Sequence, residues 1–382
     1  MERLDSAAWD RSWVEIDLDA LRHNARVARD QAGGNCRLMA VVKADAYGHG
    51  MVPVARALRG LVEGFGVAGL AEGRTLREAG LQETVYLLGP VLPAEREEVV
   101  GRGFLPALSS KEEGEAFAAL AKDGPVVAHL KVDTGMGRCG VLEEAAHETW
   151  EALARLPGLK IAGLYSHFPS ADEDAAFTQK QTERFSALAS WMQERSLEPL
   201  EIHLANSAGL LGFSSTTWTL LRPGLMLYGV SPLAEEQARL RPALRWWARV
   251  GLVRDVPAGH TVSYGRTFCT DRPTRTAVVT VGYGDGYPRR LSHQGAEVEI
   301  AGQRCPILGC VTMDQLVVDV TALEPGPTLG QEVVLLGEGL TARELAEKSG
   351  TIPWEIFTGI TPRVRRLYRG KSELLPEAPQ AG

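Results

Sequence analysis

The feature that most constrains the fold is an alternation of short apolar runs with amphipathic stretches through the first two-thirds of the chain. Apolar runs separated by helical patterns are typical of βα units with a parallel sheet. About eight such runs favour a closed (β/α)8 barrel of the TIM type over an open sheet. The candidate strands are RLMAVVK from Arg37, FGVAG from Phe65, VYLLG from Val85, FLPALS from Phe104, VVAHLKV from Val126, IAGLYSH from Ile161, EIHLAN from Glu201 and GLMLYG from Gly224.

The pattern changes after Tyr228, where a polar, proline-marked segment leads into short alternating runs with turns between them. A chain of 382 residues is also too long for one ordinary core. We therefore expect a barrel domain over residues 1–245 and a β-rich domain over residues 246–382, and SWVEIDL, within residues 1–18, is a strand candidate for the second domain. The other candidates there are the strands WARVGLV, RTAVVTVGY, AEVEIAG, QLVVDV and EVVLLG and the helix TARELAEKSG.

Composition limits the classes of partner. The formal charge of -7 leaves no basic footprint for nucleic acid or for a membrane surface, and no run of 18 apolar residues occurs. The five cysteines contain no CxxC pair, which excludes a disulfide framework and a four-thiolate zinc site. We expect small-molecule partners and a reducing cytoplasm.

Polar residues stand at the ends of several predicted barrel strands, where the loops of such a barrel converge on the chemistry. Apolar packing gives no reason for an ammonium group after MAVV, so the first of these residues is the strongest candidate. The histidines lack paired carboxylates at ligand spacing, so no metal site is expected. The strand-end residues are Lys43, Lys131, His167, Asn206, Ser207 and Arg222, the last expected to open the eighth strand.

Two segments suit a phosphate group. NSAG from Asn206 and PGL from Pro223 combine a hydroxyl with small residues whose backbone N–H groups can approach an anion. A lysine across the same barrel mouth could hold a phosphorylated aldehyde as a Schiff base, and that aldehyde would be pyridoxal phosphate.

Ordered motifs run over nearly the whole chain: EIDLDALRHN, VVKADAYGHG, HLKVDTGMGRCG, SHF, HLANSAG, RPGLMLYG, SYG, GYGDGYPR, MDQ and WEIFTGITPRV. In the order and completeness of these motifs the chain resembles the alanine racemase family. The resemblance implies a pyridoxal-phosphate barrel, a β-rich second domain, a head-to-tail homodimer, and interconversion of L- and D-alanine through a cofactor Schiff base, supplying D-alanine for peptidoglycan.

Racemisation needs an acid-base group on each face of the cofactor. The resemblance assigns Lys43 to the D-side and Tyr264 to the L-side, with His167 and Arg222 as a cationic network that favours the phenolate. A guanidinium keeps its proton, so Arg222 facing the pyridine nitrogen would donate a hydrogen bond without protonating the ring. The weaker electron sink would favour racemisation over transamination.

The resemblance also implies the binding residues. Tyr47, Asn206 and Ser207, with the backbone amides of Gly224 and Leu225, would hold the phosphate. The substrate carboxylate would bind Arg138 and the Met313 amide of the partner subunit. Further assignments are Tyr283 to the entry channel and Lys131 to a position that often carries a carbamate.

Two positions depart from the family pattern, and each is compatible with harmless packing variation. Trp354 stands where a tyrosine usually lies near the phosphate, which puts cofactor affinity in question. Thr312 replaces a frequent cysteine, and its hydroxyl would lie near the substrate.

Three alternatives stay open. The enzyme could accept serine or other small amino acids, because the sequence does not measure the pocket. A non-catalytic pyridoxal-phosphate carrier uses a similar barrel but lacks a second domain with an SYG tyrosine. A Schiff-base aldolase barrel without cofactor would give a colourless protein.

Overall fold

A computed structural model describes residues 10–33, 36–213 and 218–370 of the chain. They form two compact units, a barrel unit over Leu21–Arg241 and a β-rich unit that combines Met1–Ala20 with Pro242–Gly382. The helices are α1 Leu18–Ala32, α2 Lys43–Tyr47, α3 Met51–Leu58, α4 Leu70–Glu78, α5 Arg96–Gly101, α6 Lys111–Ala118, α7 Ala146–Ala154, α8 Ala175–Arg195, α9 Ser207–Gly212, α10 Ala342–Ser349 and α11 Pro353–Thr358.

The strands alternate with helices in the first part of the chain and follow one another in the last part. They are β1 Ser12–Asp17, β2 Arg37–Val41, β3 Gly64–Val67, β4 Thr84–Leu87, β5 Leu105–Leu108, β6 Val126–Asp133, β7 Val141–Leu142, β8 Leu159–Tyr165, β9 Glu201–His203, β10 Leu220–Leu221, β11 Leu244–Val256, β12 Thr261–Val262, β13 Phe268–Cys269, β14 Thr274–Val279, β15 Glu297–Ile300, β16 Gln303–Leu308, β17 Leu316–Asp319, β18 Glu332–Leu336 and β19 Arg365–Arg369.

The barrel unit is a nearly closed parallel barrel, which confirms the predicted fold class. Its strands pair in the order β10-β2-β3-β4-β5-β6-β8-β9, and β7 adds to β6. The two ends of this path meet through backbone bonds, because the Thr219 N–H donates to the Ile202 carbonyl at 2.9 Å and the Arg222 N–H donates to the Ala205 carbonyl at 3.0 Å. Such bonds leave no open sheet edge at that point.

Helices outside and side chains inside cover both faces of the barrel strands. All four residues of β3 are buried, as are four of the five residues of β2. Continuous apolar runs are therefore the pattern these strands require. Helix α4 follows β3, and Gly80 follows the helix with a φ of +81°, a left-handed conformation that suits glycine.

The eighth predicted strand is wrong. The run from Gly224 contains a short 3-10 helix, Leu225–Tyr228, and the true strand is β10 at Leu220–Leu221. Every residue of the 3-10 turn is buried, so its sequence reads as a continuous apolar run. Such a run does not show whether the segment is a strand or a helical turn. Arg222 consequently follows the eighth strand instead of opening it.

The β-rich unit is built on one eight-stranded sheet with the order β14-β17-β16-β15-β18-β11-β1-β19. Strand β1 pairs antiparallel with β11 and parallel with β19, while residues 1–9 lie outside the described residues. The predicted strands of this unit are present. The sequence analysis did not predict β12, β13, β16, β19 and α11.

The predicted helix of the β-rich unit is α10. The Thr341 hydroxyl accepts a hydrogen bond from the Glu344 N–H at 3.1 Å and so caps its first turn. Gly350 ends the helix with a φ of +68°. In the described part of the chain, no helix is both long and apolar enough to cross a membrane.

Candidate active site

Lys43 lies two residues beyond β2 and opens a left-handed turn. Ala44, Asp45, Ala46 and Tyr47 all have a φ of +52°, which L-residues rarely adopt. This conformation costs roughly 1–2 kcal/mol per residue. Such strain persists only where surrounding contacts determine it, so it marks a segment under functional constraint.

Two carboxylates hold this turn. The Asp45 carboxylate accepts a hydrogen bond from the Met51 N–H at 2.7 Å. Glu72 accepts from the Ala44 N–H and from the Ala68 N–H, each at 2.7 Å. The turn is therefore tied to α3 and α4, and the backbone next to Lys43 is fixed by its neighbours.

The Lys43 amine is partly buried among other cations. Burial is the largest cause that lowers its pKa, and the positive charges of Arg138 and Arg222 lower the pKa further, against Glu72. A lowered pKa increases the fraction of neutral amine, which is the nucleophilic form. A neutral amine is the form that can attack an aldehyde or accept a proton, and the surroundings of Lys43 favour that form.

Tyr47, Ser207 and Gly224 form a compact cradle at the barrel mouth. The Ser207 hydroxyl accepts hydrogen bonds from the N–H groups of Gly224 and Met226 at 3.0 and 3.3 Å. A Cβ at Gly224 would lie 2.7 Å from the Tyr47 hydroxyl oxygen, so a larger residue here would force the Tyr47 ring to shift. Two hydroxyls and a closely approached backbone segment suit a phosphate group.

The other two residues of the expected phosphate site lie beside this cradle in sequence. The Asn206 Oδ1 accepts from the Gly209 N–H at 3.0 Å and caps the short helix α9. Leu225 is buried and begins the 3-10 turn that follows Gly224. Asn206 therefore shapes the segment that presents Ser207.

Arg222 is a buried hub at the end of β10, with 3% of its surface exposed. Its Nη1 donates to His203 Nδ1 at 2.8 Å. Its Nη2 donates to the carbonyls of Ser166 and Leu204 at 2.7 and 3.0 Å. Burial lowers the pKa of Arg222 to about 10, so the guanidinium keeps its proton at neutral pH.

His167 is a neutral acceptor beside this hub. Its Nδ1 lies 3.1 Å from Arg222 Nη2, which can only donate. Burial first, and then the charges of Arg222, Arg138, Lys43 and Lys131, lower the pKa of His167 to about 3. The sequence reading expected a cationic contribution from His167, whereas in this structure Arg222 carries the charge and the imidazole is uncharged.

Lys131 and Arg138 stand on either side of a tightly bonded loop. Lys131 is buried, with its Nζ 5.4 Å from the centre of the Tyr165 ring, and burial is the main cause that lowers its pKa. Asp133 accepts from the N–H groups of residues 135–138 at 2.8 to 3.0 Å. Although burial raises the pKa of Asp133, these four donors lower it overall. The loop thus fixes the backbone that carries the exposed Arg138.

The expected residues of the β-rich unit lie on its surface. Tyr264 is 70% exposed in the turn between β12 and β13. Met313 is 53% exposed and Tyr283 is 40% exposed. The Tyr283 N–H donates to the Thr312 carbonyl at 3.0 Å, and the Gly284 N–H donates to the Met313 carbonyl at 2.8 Å, so these two segments pack backbone against backbone.

The two departures from the family pattern are both in this unit. The Thr312 hydroxyl donates to the Gln315 carbonyl at 2.7 Å, so it is engaged within its own turn. Trp354 is half-buried near the start of α11, and its carbonyl accepts from the Thr358 hydroxyl at 2.8 Å. The local bond of Thr312 limits its use as a donor to a substrate.

The barrel unit accordingly brings together Lys43, Tyr47, Lys131, Arg138, His167, Asn206, Ser207, Arg222, Gly224 and Leu225, whereas Tyr264, Tyr283, Met313 and Trp354 belong to the β-rich unit. The barrel residues suit pyridoxal phosphate, because the cradle at Gly224 and the lysine of lowered pKa provide for its two ends. In the described ranges, no group of three or more His, Cys, Asp or Glu side chains is arranged to hold a metal ion.

Sequence reasoning gave no role to two histidines beneath Arg222. His203 accepts the Arg222 hydrogen bond, and His129 contacts His203 with 2.8 Å between Nδ1 and Nε2. Both are fully buried inside the barrel. The available signal was a histidine inside an apolar strand run in both HLKV and EIHLA, since an interior imidazole needs a polar partner.

Comparisons with known proteins converge on one family. The models of the alanine racemase N-terminal and C-terminal domains match residues 16–232 and 243–368. Alanine racemase from Methylacidiphilum infernorum is 40% identical over 373 residues, covering 95% of this chain and 94% of that protein. The structure of alanine racemase from Streptomyces coelicolor has a TM-score of 0.87 at 36% identity, covering 96% of this chain and 100% of that one. Alanine racemase from Bacillus anthracis, solved with L-Ala-P, has a TM-score of 0.86 at 35% identity, covering 95% of this chain and 96% of that one.

Proposed function

The chain belongs to the alanine racemase family, and from that premise and the geometry of its barrel mouth we propose that it interconverts L- and D-alanine with pyridoxal phosphate. The observation that carries the proposal is the pairing of a partly buried lysine of lowered pKa with a cradle in which the Tyr47 hydroxyl closely approaches the backbone at Gly224. Pyridoxal phosphate would be held first by Lys43. It would then acidify the α-hydrogen of an amino acid whose amine replaces the lysine on the cofactor aldehyde.

The cofactor would be held at two ends by the barrel unit. Lys43 would anchor its aldehyde carbon. The hydroxyls of Tyr47 and Ser207 and the backbone around Gly224 and Leu225 would receive the phosphate, and Asn206 would support this segment by capping α9. Trp354 would contribute an indole N–H where relatives usually have a phenol.

Two bases would move the α-proton. Lys43, once displaced from the aldehyde by the substrate amine, would exchange a proton at the D-side, and its lowered pKa supports that role. Tyr264 would exchange a proton at the L-side. The positive charge of Arg222, which stays protonated at neutral pH, would favour the phenolate, while the neutral His167 would connect the two by hydrogen bonding.

Arg222 would also set the type of reaction. Every one of its bonds in this structure is a donation to a carbonyl or an imidazole nitrogen. A guanidinium that faces the pyridine nitrogen would donate there as well, without transferring its proton. The α-carbon would then recover a proton quickly, which favours racemisation over transamination.

The substrate carboxylate would bind the Arg138 side chain and the Met313 amide. Tyr283 would line the route by which substrate enters. Lys131, buried with a lowered pKa, would be the lysine that accepts carbon dioxide as a carbamate and so pairs with Arg138.

We infer a head-to-tail homodimer in which the barrel unit of one subunit meets the β-rich unit of the other. The exposure of Tyr264, Met313 and Tyr283 in the single chain supports this inference, because buried surroundings are expected around catalytic groups. The domain boundary near residue 245 remains part of this proposal, with strand β1 joining the β-rich unit. All five cysteines are free thiols, which is consistent with the cytoplasmic setting in which D-alanine would be made for peptidoglycan.

A combined spectroscopic and isotopic experiment tests this function. The purified protein should be yellow, lose its visible absorbance on borohydride treatment, and exchange the α-proton of both L- and D-alanine in deuterated water. A colourless protein would support a cofactor-free aldolase, and a yellow protein without exchange would support a carrier. Equal exchange rates for alanine, serine, lysine and arginine would replace the alanine assignment by a broad-specificity racemase.

A further inference from the structure

A line of polar side chains crosses the interior of the barrel from the active-site end to the opposite end. Arg222 Nη1 lies 2.8 Å from His203 Nδ1, and His203 Nε2 lies 2.8 Å from His129 Nδ1. His129 Nε2 then lies 3.4 Å from Glu201 Oε2. The line begins at the residue proposed to face the cofactor and ends at the first residue of β9.

The direction of the two hydrogen bonds in this line is fixed by its first member. A guanidinium can only donate, so His203 Nδ1 must accept and its proton must sit on Nε2. That proton is directed at His129 Nδ1, which must therefore accept in turn. The remaining proton of His129 sits on Nε2, which makes no hydrogen bond in this structure and meets the Glu201 carboxylate as an electrostatic contact at 3.4 Å.

Burial keeps both imidazoles neutral, as this direction requires. His203 and His129 are each 1% exposed. Burial is the largest cause that lowers the pKa of His129 to about 3, and it lowers the pKa of His203 well below its ordinary value. A positive charge therefore stands at one end of the line, a carboxylate at the other, and two neutral rings between them.

Packing fixes the two rings. The Tyr165 ring stacks on His203 with 4.6 Å between centroids and an interplanar angle of 5°. A Cβ at Gly163 would lie 2.6 Å from His129 Nε2, so the glycine leaves the space that this ring occupies. The packing therefore holds the His203 and His129 rings in the orientations in which their nitrogens can form the hydrogen bonds of the line.

The outer end of the line is an organised ion pair. Glu201 binds Arg37 through Oε1 and accepts from the Tyr86 hydroxyl through Oε2 at 2.9 Å. These groups border a cavity of about 340 Å³ at the N-terminal ends of the barrel strands. This is the end of the barrel opposite the proposed active site. The Glu201 side chain is 20% exposed there, so it reaches the edge of the solvent.

We propose that Glu201 and His129 are positioning residues that act through His203 on Arg222: two one-directional hydrogen bonds join Arg222, His203 and His129, and the Glu201 carboxylate acts on His129 through an electrostatic contact. The carboxylate polarises His129, which polarises His203 and strengthens the acceptor that fixes the Arg222 guanidinium. This proposal deepens the proposed function, on which its catalytic consequence rests.

The tautomers of the wild-type holoenzyme give the first test. The ring nitrogens are observed by NMR after selective 15N-histidine labelling, with His129→Gln and His203→Gln used for assignment. We expect both rings to be neutral, with the proton on Nε2, from about two pH units below to two above the ordinary histidine pKa of ~6.5. A proton on Nδ1 or a cationic ring at either position at neutral pH would overturn the line.

Substitution of its anionic end gives the second test, with a matched control. Glu201→Gln keeps the shape but removes the charge, while Glu198→Gln removes a neighbouring carboxylate that borders the same cavity and pairs with Lys160 at 2.6 Å. In Glu201→Gln we expect the His129 and His203 nitrogen resonances to shift and kcat to fall roughly threefold to tenfold with KM unchanged, because the negative charge next to His129 Nε2 is removed. Glu201→Asp should recover part of kcat.

The outcomes separate the two proposals. Unchanged imidazole resonances in Glu201→Gln, or an equal shift in Glu198→Gln, would overturn the line whatever the enzyme does. If Glu201→Gln loses activity only because part of the protein misfolds, less cofactor will be bound and kcat per bound cofactor will be unchanged. That result would also count against the line. If the protein racemises no amino acid, the proposed function fails, while the tautomers still decide whether the line exists.

Discussion

The barrel unit and the β-rich unit present their expected functional residues in opposite ways. In the barrel, Arg222 and Ser207 are 3% and 5% exposed and are held by carbonyl, imidazole or backbone N–H partners. In the β-rich unit, Tyr264 and Met313 are 70% and 53% exposed. The first half of the proposed site therefore has a buried centre, whereas these two residues of the second half lie on the surface of their unit.

Both halves nevertheless have ordered backbones. The turn that carries Tyr283 is held by Asp285, whose carboxylate accepts from the Gly282 N–H at 3.0 Å and pairs with Arg363 at 3.0 Å. A Cβ at Gly282 would lie 2.2 Å from the Thr312 carbonyl oxygen. Exposure here therefore does not mean a loose segment, and it is consistent with a surface prepared for a partner.

The largest effect should come from removing the centre of the barrel half. Lys43→Ala removes the anchor of the cofactor and one of the two bases, so we expect racemisation to fall by at least about 10³-fold and the visible absorbance of the imine to vanish. Steady-state rates and absorption spectra measure both. Lys160→Ala, which alters an exposed lysine of the same unit, is the control and should keep both signals; activity retained in Lys43→Ala would remove the basis of the proposal.

The next effect concerns the charge at the hub. Arg222→Glu places a carboxylate against the Ser166 and Leu204 carbonyls, so we expect stability to fall by roughly 3–5 kcal/mol. In the folded fraction, the ratio of transamination to racemisation should rise, because a carboxylate stabilises a protonated ring. Arg222→Lys, which keeps the charge, should leave the ratio near the wild-type value. An equal ratio in all three proteins would contradict the account of Arg222.

Acid should destabilise the barrel through its buried histidines. The folded pKa of His129 is lowered to about 3, below the unfolded value of about 6.5, so between these values only the unfolded chain binds the proton. Stability should therefore fall as the pH drops below about 6.5, by about 1.4 kcal/mol per pH unit for this residue. Denaturant unfolding of the wild type and of His129→Gln near pH 4 to 6 measures the difference in slope. Parallel curves for the two proteins would mean that His129 takes up a proton while folded.

The smallest effect should come from the departure in the β-rich unit. Trp354→Tyr introduces a hydroxyl donor where relatives usually have one, so we expect pyridoxal phosphate to bind more tightly by on the order of 1 kcal/mol. Cofactor titration of the apoenzyme, followed by absorbance, gives the value. Trp354→Phe serves as the control, because it has a similar ring without the donor. Weaker binding in Trp354→Tyr would show that the indole makes compensating contacts.

The sequence predicted those parts of the fold that follow from the pattern of apolar residues and the order of the elements. Seven of the eight barrel strands follow from apolar runs, because strands buried on both faces must be continuously apolar. The eighth did not follow, since the run from Gly224 is buried on every side and forms a 3-10 turn. Strand β19 was not predicted because its sequence is RRLYR. Only Leu367 in it is buried, so it shows no apolar run.

The site was predictable where strand ends carry unusual residues and unpredictable where geometry decides. Lys43 and Arg222 are visible as charges next to apolar runs. The left-handed turn at residues 44–47 contains no glycine, the residue that usually adopts this conformation. Its composition therefore gave no sign of the turn. The line from Arg222 to Glu201 joins residues on different strands, and only the closure of the barrel aligns them.

The exchange of subunits between two inactive variants tests most directly whether the two halves of the site come from different chains. Lys43→Ala chains and Tyr264→Ala chains are mixed in equal amounts under conditions that allow exchange, and racemisation is followed against unmixed controls. In a mixed dimer with shared sites, one site carries both lesions and the other carries none. Random pairing makes about half of the dimers mixed, so roughly one quarter of wild-type activity should return. No recovery, with exchange verified by mass spectrometry, would contradict the shared site and assign both residues to one chain.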